Sequence, residues 1–140
     1  MARDPDCLFC KIVAGELPAT IVDEDERTIA FMDISPATRG HCLVVPRAHT
    51  DDLLTADTAD VQACAATAQE LARRAYEDLG AAGVNIMQSS GSAAWQTVFH
   101  LHLHVIPRYA DDPLVLPWKP TGGDPGEIAA AAALLRGPTE

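Results

Sequence analysis

With 140 residues, 48% of them apolar and 21% charged, the chain has the size and balance of one globular domain, able to bury roughly two thirds of its unfolded surface. Its formal charge of −10 is spread along the sequence, which speaks against a broad nucleic-acid footprint but leaves room for a small nucleotide site. No run approaches the about 18 apolar residues of a membrane span, and the first six residues lack the apolar core of a signal peptide. A cytoplasmic protein that engages neither membrane nor nucleic acid is therefore expected.

In chain order, residues 6–15 suit a short helix ended by Gly15 and Pro18. Residues 21–23 and 28–33 read as strands joined by a charged turn, and Pro36 to Gly40 reads as a loop. His41–Val45 is a third strand, stopped by Pro46. Apolar residues at three- and four-residue steps from Val61 to Leu79 predict a long helix over about Thr58–Leu79, with Gly80 as its cap. Val84–Gln88 reads as a strand, Ser89–Ala94 as a loop of small residues, and Val98–Ile106 as a last strand ended by Pro107. After a proline- and glycine-rich stretch, Asp124 and Pro125 open a final helix to about Arg136. Five short strands with segregated helices indicate an antiparallel α+β domain spanning residues 1–140, with a core over about 5–109 and an extension over 110–140. The open edges of so small a sheet favour a homodimer.

Four cysteines without a secretion signal argue against disulfides. Cys42 and Cys64 sit in apolar patterns and suit the core. Cys7 and Cys10 have the two-residue spacing of zinc and redox motifs, a weak signal in isolation. The stronger signal is His100, His102 and His104, at alternate positions of one predicted strand. That spacing puts three imidazoles on one face, with Leu101, Leu103 and Val105 on the other. The row alone suits a metal site and a catalytic site equally. Its flanks favour catalysis: Gln96 and Thr97 precede it, after a loop whose small residues would let backbone N–H groups approach an anion. A neutral imidazole is a good nucleophile toward phosphorus near neutral pH. Neighbouring groups can stabilise the phosphoryl charge and protonate the leaving group.

The segment from Gln96 through Arg108, with its three alternate histidines led by Gln-Thr, resembles the signature of the histidine triad (HIT) family. The resemblance continues at Cys7–Ile12, Gly15–Pro18, Phe31–Pro36 and His41–His49. A complete triad with an N-terminal cysteine pair is similar to the Hint branch and its bacterial relatives. It implies a HIT fold, with a five-stranded antiparallel sheet, a long helix and a C-terminal helix, that dimerises. It implies a nucleotidyl hydrolase or transferase acting on the α-phosphate of purine nucleotides, with nucleoside phosphoramidates or related adenylylated compounds as substrates. Hydrolysis of dinucleoside polyphosphates is the alternative within the same chemistry, and a nucleotide-binding regulatory protein the alternative outside it.

The resemblance also implies residue roles. His102 would attack phosphorus, its Nδ1–H held by the His100 carbonyl. His104 and Thr97 would contact the phosphate, with His104 also serving the leaving group, and Gln96 would help close the site. Asp33 would take the ribose hydroxyls, while Phe9, Ile12, Leu17, Phe31, Ile34 and Leu43 would enclose the base. Cys7, Cys10, His49 and His100 would hold a structural zinc, and no catalytic metal is needed. His41 is expected to be structural. Two positions depart from the family pattern. Ser89 stands near a usual asparagine and would reach the phosphate or sugar less well. Trp95 stands where glycine is common and would restrict the loop or cover the leaving-group side. Trp118 and Lys119 are candidates to reach across a dimer; alternatively, their stretch tethers the last helix onto its own subunit.

Overall fold

A computed structural model describes residues 4–138. The strands are β1 (Ile21–Glu24), β2 (Thr28–Met32), β3 (Cys42–Pro46), β4 (Gly83–Gln88) and β5 (Leu103–Arg108). They form one sheet in the order β1-β2-β3-β5-β4 with every neighbouring pair antiparallel. The helices are α1 (Leu8–Val13), α2 (Thr58–Leu79) and α3 (Pro125–Arg136). The α+β class and the long helix agree with the sequence reading.

Period-two alternation splits the sheet into two faces. Ala30, Cys42, Val44, Leu103 and Val105 pack with Cys64, Ala68 and Leu71 of α2. Small residues on that helix let its backbone come close to the sheet. Asp57 caps its start by accepting from the Ala59 N–H, and Gly80 closes its end in the left-handed region at φ 69°, where a residue without Cβ is favoured. Ile29, Phe31, Leu43 and Val45 point the other way, onto Phe9, Cys7 and Cys10 of the N-terminal segment. Cys42 and Cys64 are buried thiols, pushed by burial to about 11 and about 12, as inert core residues should be.

The last strand is shorter than expected. β5 begins at Leu103, not Val98. The backbone before it is engaged elsewhere: the Leu101 N–H donates to the Thr50 carbonyl at 2.8 Å, and the His100 carbonyl accepts from a side chain, His102 Nδ1, at 2.7 Å. With those groups spent, residues 98–102 cannot join the ladder. Leu101 still points into the α2 core with Leu103 and Val105.

Beyond β5, Arg108 and Asp112 form a paired turn, with Nε to Oδ2 at 2.8 Å and Nη2 to Oδ1 at 2.9 Å. Helix α3 opens as expected, with the Asp124 carboxylate accepting from the Glu127 N–H. However, α3 buries none of its residues, so the chain does not fold it back onto its own core. Ile128, Leu134 and Leu135 stay exposed. No helix among the described residues is long and apolar enough to cross a membrane.

Candidate active site

On the face opposite α2, a cavity of about 370 Å³ runs from apolar side chains at one end to two imidazoles at the other. Phe9, Ile12, Leu17, Phe31, Ile34 and Leu43 line it, as do Asp33, Thr97, His102 and His104. Leu8, Pro18, Ala19, Met32 and Val98 complete the wall. The sequence reading missed these five. Pro18 and Ala19 carry no periodic signal, and Leu8 and Val98 read as ordinary apolar positions beside motif residues. A second cavity of about 370 Å³ lies between the sheet and α2; Arg39, Arg74, Asp78 and buried Cys42 are its ionisable lining residues and no histidine reaches it. The imidazoles belong to the first.

The imidazoles are not one straight row. The His102 and His104 rings are 5.1 Å apart, while His100 turns away toward the cysteines. The His100 carbonyl can only accept, so His102 Nδ1 carries the proton and its Nε2 keeps a lone pair. Phe9 packs its edge against the His102 ring at 5.1 Å, which limits ring rotation. Burial lowers the His102 pKa against the opposing pull of the His100 carbonyl. Burial, with His102 and His41 nearby, holds His104 at about 4. Both rings are thus neutral near pH 7, the form in which His102 offers a lone pair.

Some expected residues stand elsewhere. Gln96 is buried away from the cavity: its Oε1 accepts from the Gly91 N–H at 2.8 Å, and its Nε2 donates to the carbonyls of Asp51 and Val98. It clamps the base of the loop that delivers Thr97. Ser89 is also buried and outside the lining. The small-residue loop is not an open anion nest, because Ser92–Ala94 form a single 3-10 turn and the N–H groups of Ala94, Trp95 and Gln96 donate to Gly91 and Ser92 carbonyls. Trp95 sits at φ 76°, the single non-glycine residue in the left-handed region among those described. This geometry explains why glycine would suit the position.

Cys7, Cys10, His49 and His100 meet beneath α1, with one potential ligand atom each and all four within 4.8 Å of one another. Cys7 Sγ is 3.3 Å and Cys10 Sγ 3.5 Å from His100 Nδ1, and Cys10 Sγ is 3.3 Å from His49 Nδ1. A tetrahedral zinc with ordinary Zn–S and Zn–N bonds separates such atoms by about 3.6 Å. The outer contacts fit as well. His100 Nε2 donates to the Pro46 carbonyl at 2.8 Å and His49 Nε2 to Asp51 Oδ1 at 2.9 Å. Each ring therefore turns its Nδ1 lone pair toward the sulfurs, in the manner of metal-ligating histidines. The donor set is compatible with a structural zinc.

His41, expected to be merely structural, enters the site. Its Nε2 is 2.9 Å from His104 Nδ1 and 3.5 Å from Asp33 Oδ2. The sequence signal was present, since β3 pairs with β5 and Leu43 stands opposite His104. It could be read only once that pairing was known.

Comparison with known proteins agrees with this geometry. The HIT domain family model matches residues 14–111. An uncharacterized HIT-like protein of Mycobacterium tuberculosis is 40% identical over 132 residues, 94% of this chain and 83% of that protein. A protein of Streptococcus mutans superposes with a TM-score of 0.90 at 37% identity, covering 96% of this chain and 86% of the other. A zinc-bound histidine triad family protein from Mycobacterium smegmatis is 45% identical with a TM-score of 0.76, covering 94% and 96% of the two chains. With the fold, the paired imidazoles and these relatives in agreement, the chain belongs to the HIT domain family, a family of nucleotide-binding proteins and hydrolases.

Proposed function

We propose that this protein is a nucleotidyl hydrolase or transferase acting at the α-phosphate of purine nucleotides, with nucleoside phosphoramidates or related adenylylated compounds as substrates. One observation carries the reading. His102 donates Nδ1–H to the His100 carbonyl at 2.7 Å, which leaves its Nε2 lone pair for a cavity whose far end is apolar and whose wall carries Asp33. A base fits among Phe9, Phe31 and Leu43, and a ribose diol suits the Asp33 carboxylate. Ile34, almost fully exposed, would be covered only when a base is bound.

The reaction divides into two displacements. The His102 Nε2 lone pair attacks the α-phosphorus. The bond from phosphorus to the leaving nitrogen or oxygen breaks, and the leaving group takes up a proton from solvent. Thr97 and His104 donate hydrogen bonds to the phosphoryl oxygens. Water then attacks the nucleotidyl-His102 intermediate and gives up its proton to solvent. The nucleoside monophosphate is released and His102 returns as a neutral imidazole. No metal takes part in these steps.

Cys7, Cys10, His49 and His100 would hold a zinc ion whose contribution is structural: it would link α1 to the segment that carries His102. The exposed apolar residues of the extension, including Trp118, Leu134 and Leu135, support a homodimer in which that extension meets a second copy. Sedimentation showing monomer alone would refute this.

The test is turnover of adenosine 5′-phosphoramidate and of diadenosine polyphosphates by wild type and His102→Ala. The reading expects the phosphoramidate to be cleaved and the variant to lose about 10⁴-fold or more in kcat. Equal rates would remove His102 as nucleophile. Cleavage of dinucleoside polyphosphates alone would reassign the substrate, and binding without turnover would make the protein a nucleotide-binding regulator.

A further inference from the structure

Asp33, His41 and His104 form a second cluster with one potential ligand atom each, all within 4.8 Å of one another. By position it is a candidate metal site, but its hydrogen bonds argue otherwise. The Ala37 backbone N–H donates to His41 Nδ1 at 2.9 Å. A backbone N–H cannot accept, so this nitrogen is unprotonated and the single proton of neutral His41 lies on Nε2. A metal at Nε2 would force the ring proton to Nδ1, directly against the Ala37 N–H.

His41 Nε2–H has His104 Nδ1 at 2.9 Å and Asp33 Oδ2 at 3.5 Å. The shorter contact makes His104 Nδ1 the main acceptor, and a neutral imidazole that accepts at Nδ1 carries its own proton on Nε2. Among the described residues, every buried side-chain nitrogen and oxygen has a partner. His104 Nε2 has none among those residues, so it is accessible, on a ring that lines the cavity.

We propose that His41 is a positioning residue: held by the Ala37 N–H, it fixes His104 as an Nε2–H hydrogen-bond donor toward the transferred phosphoryl group. The inference rests on the nucleotidyl-transfer reading for its catalytic meaning, though not for the tautomer itself. The pair of rings has no vacant nitrogen for a further proton, since one added at His104 Nδ1 would face His41 Nε2–H. Burial, which lowers both rings, works in the same direction, and Asp33 opposes it weakly. His104 therefore acts as a neutral electrophile that stabilises phosphoryl charge, a role open to imidazole N–H groups. It does not serve as a reservoir of acid for the leaving group.

Long-range ¹H–¹⁵N spectra of histidine-labelled wild-type protein read the tautomer without any substitution. The expected result is His104 protonated at Nε2 and His41 protonated at Nε2. Two variants add function. His41→Leu removes the donor, whereas His41→Gln retains an N–H near the position of Nε2. For adenosine 5′-phosphoramidate, His41→Leu should lower kcat by roughly 10- to 100-fold with KM within about threefold, and His41→Gln should restore most of that loss. The His104 tautomer should shift in His41→Leu and hold in His41→Gln. A wild-type His104 protonated at Nδ1 would overturn the proposal, as would folded variants that are equally active or equally impaired. If wild type turned over no nucleotide, the functional reading would fail, while the spectra would still decide the tautomer.

Discussion

Two groups of side chains in this molecule share histidine and close packing yet are prepared for different work. In the cluster of Cys7, Cys10, His49 and His100, each ring gives its Nε2 proton to an oxygen, from Pro46 or Asp51, and aims a lone pair inward. In the cluster of Asp33, His41 and His104, a backbone N–H from Ala37 occupies the opposite nitrogen of His41 and sends the proton inward. The residue types alone suggest a metal in both. The partner on the far side of each ring separates them, because it selects which nitrogen can bind a cation. His102 stands between the two: its Nδ1 is held by the carbonyl of His100 and its ring lies 5.1 Å from His104.

The sharpest way to break this contrast is to remove a ligand. Cys10→Ser should reduce bound zinc from about one per chain to near zero, measured by metal analysis of protein purified without chelator. Melting temperature should fall by on the order of 10 °C, since metal binding and folding are linked. His41→Leu should leave the zinc content unchanged. Zinc absent from active wild type, or lost equally in both variants, would erase the distinction.

The second effect is a pH dependence. Unfolded imidazoles take up protons near pH 6.5, whereas burial first, then His102 and His41, hold folded His104 at about 4. Between those values the unfolded chain binds more protons. The stability owed to neutral His104 is therefore complete above about pH 6.5 and lost as pH falls toward 4. Thermal melts across that window should show a decline of several degrees that is smaller in His104→Gln. An identical decline in the variant would remove His104 as its source.

A gentler test touches the outer contact of one zinc ligand. Asp51→Ala takes the acceptor from His49 Nε2 and should weaken zinc affinity by about 10-fold, measured by chelator competition. Unchanged affinity would mean that His49 needs no orienting partner. The smallest effect belongs to Trp95, whose φ of 76° carries about 1 kcal/mol of backbone strain. Trp95→Gly should be neutral or raise the denaturation midpoint slightly, with faster exchange of loop amides as the accompanying change. A clear loss of stability would show that the exposed indole contributes more than the strain costs.

Much of the architecture could be read locally. The Thr58–Leu79 helix, its Gly80 cap and the Asp124–Pro125 start of α3 depend on periodicity and end chemistry confined to a few neighbouring residues. The grouping of Asp33, Phe9, Phe31 and Leu43 around one cavity was anticipated from resemblance, and the structure brings those residues together. Gln96 and Ser89 were anticipated at the cavity and are not there. Their polarity was visible, but that Gln96 would turn to the Asp51 carbonyl depended on the path of the segment before α2 beside the loop.

By itself, then, the amino-acid order determined the element types, the split of apolar residues between two sheet faces, and the presence of three histidines at alternate positions. Those properties follow from spacing along the chain. Tertiary structure alone decided that β5 begins at Leu103, that His100 turns from the row to the cysteines, and that His41 reaches His104 from the neighbouring strand. The role of an imidazole is set by which nitrogen holds its proton. That depends on the donors and acceptors around both edges of the ring: Pro46 reaches His100 from β3, while Ala37 and Asp51 meet His41 and His49 from neighbouring loop residues whose path the fold sets.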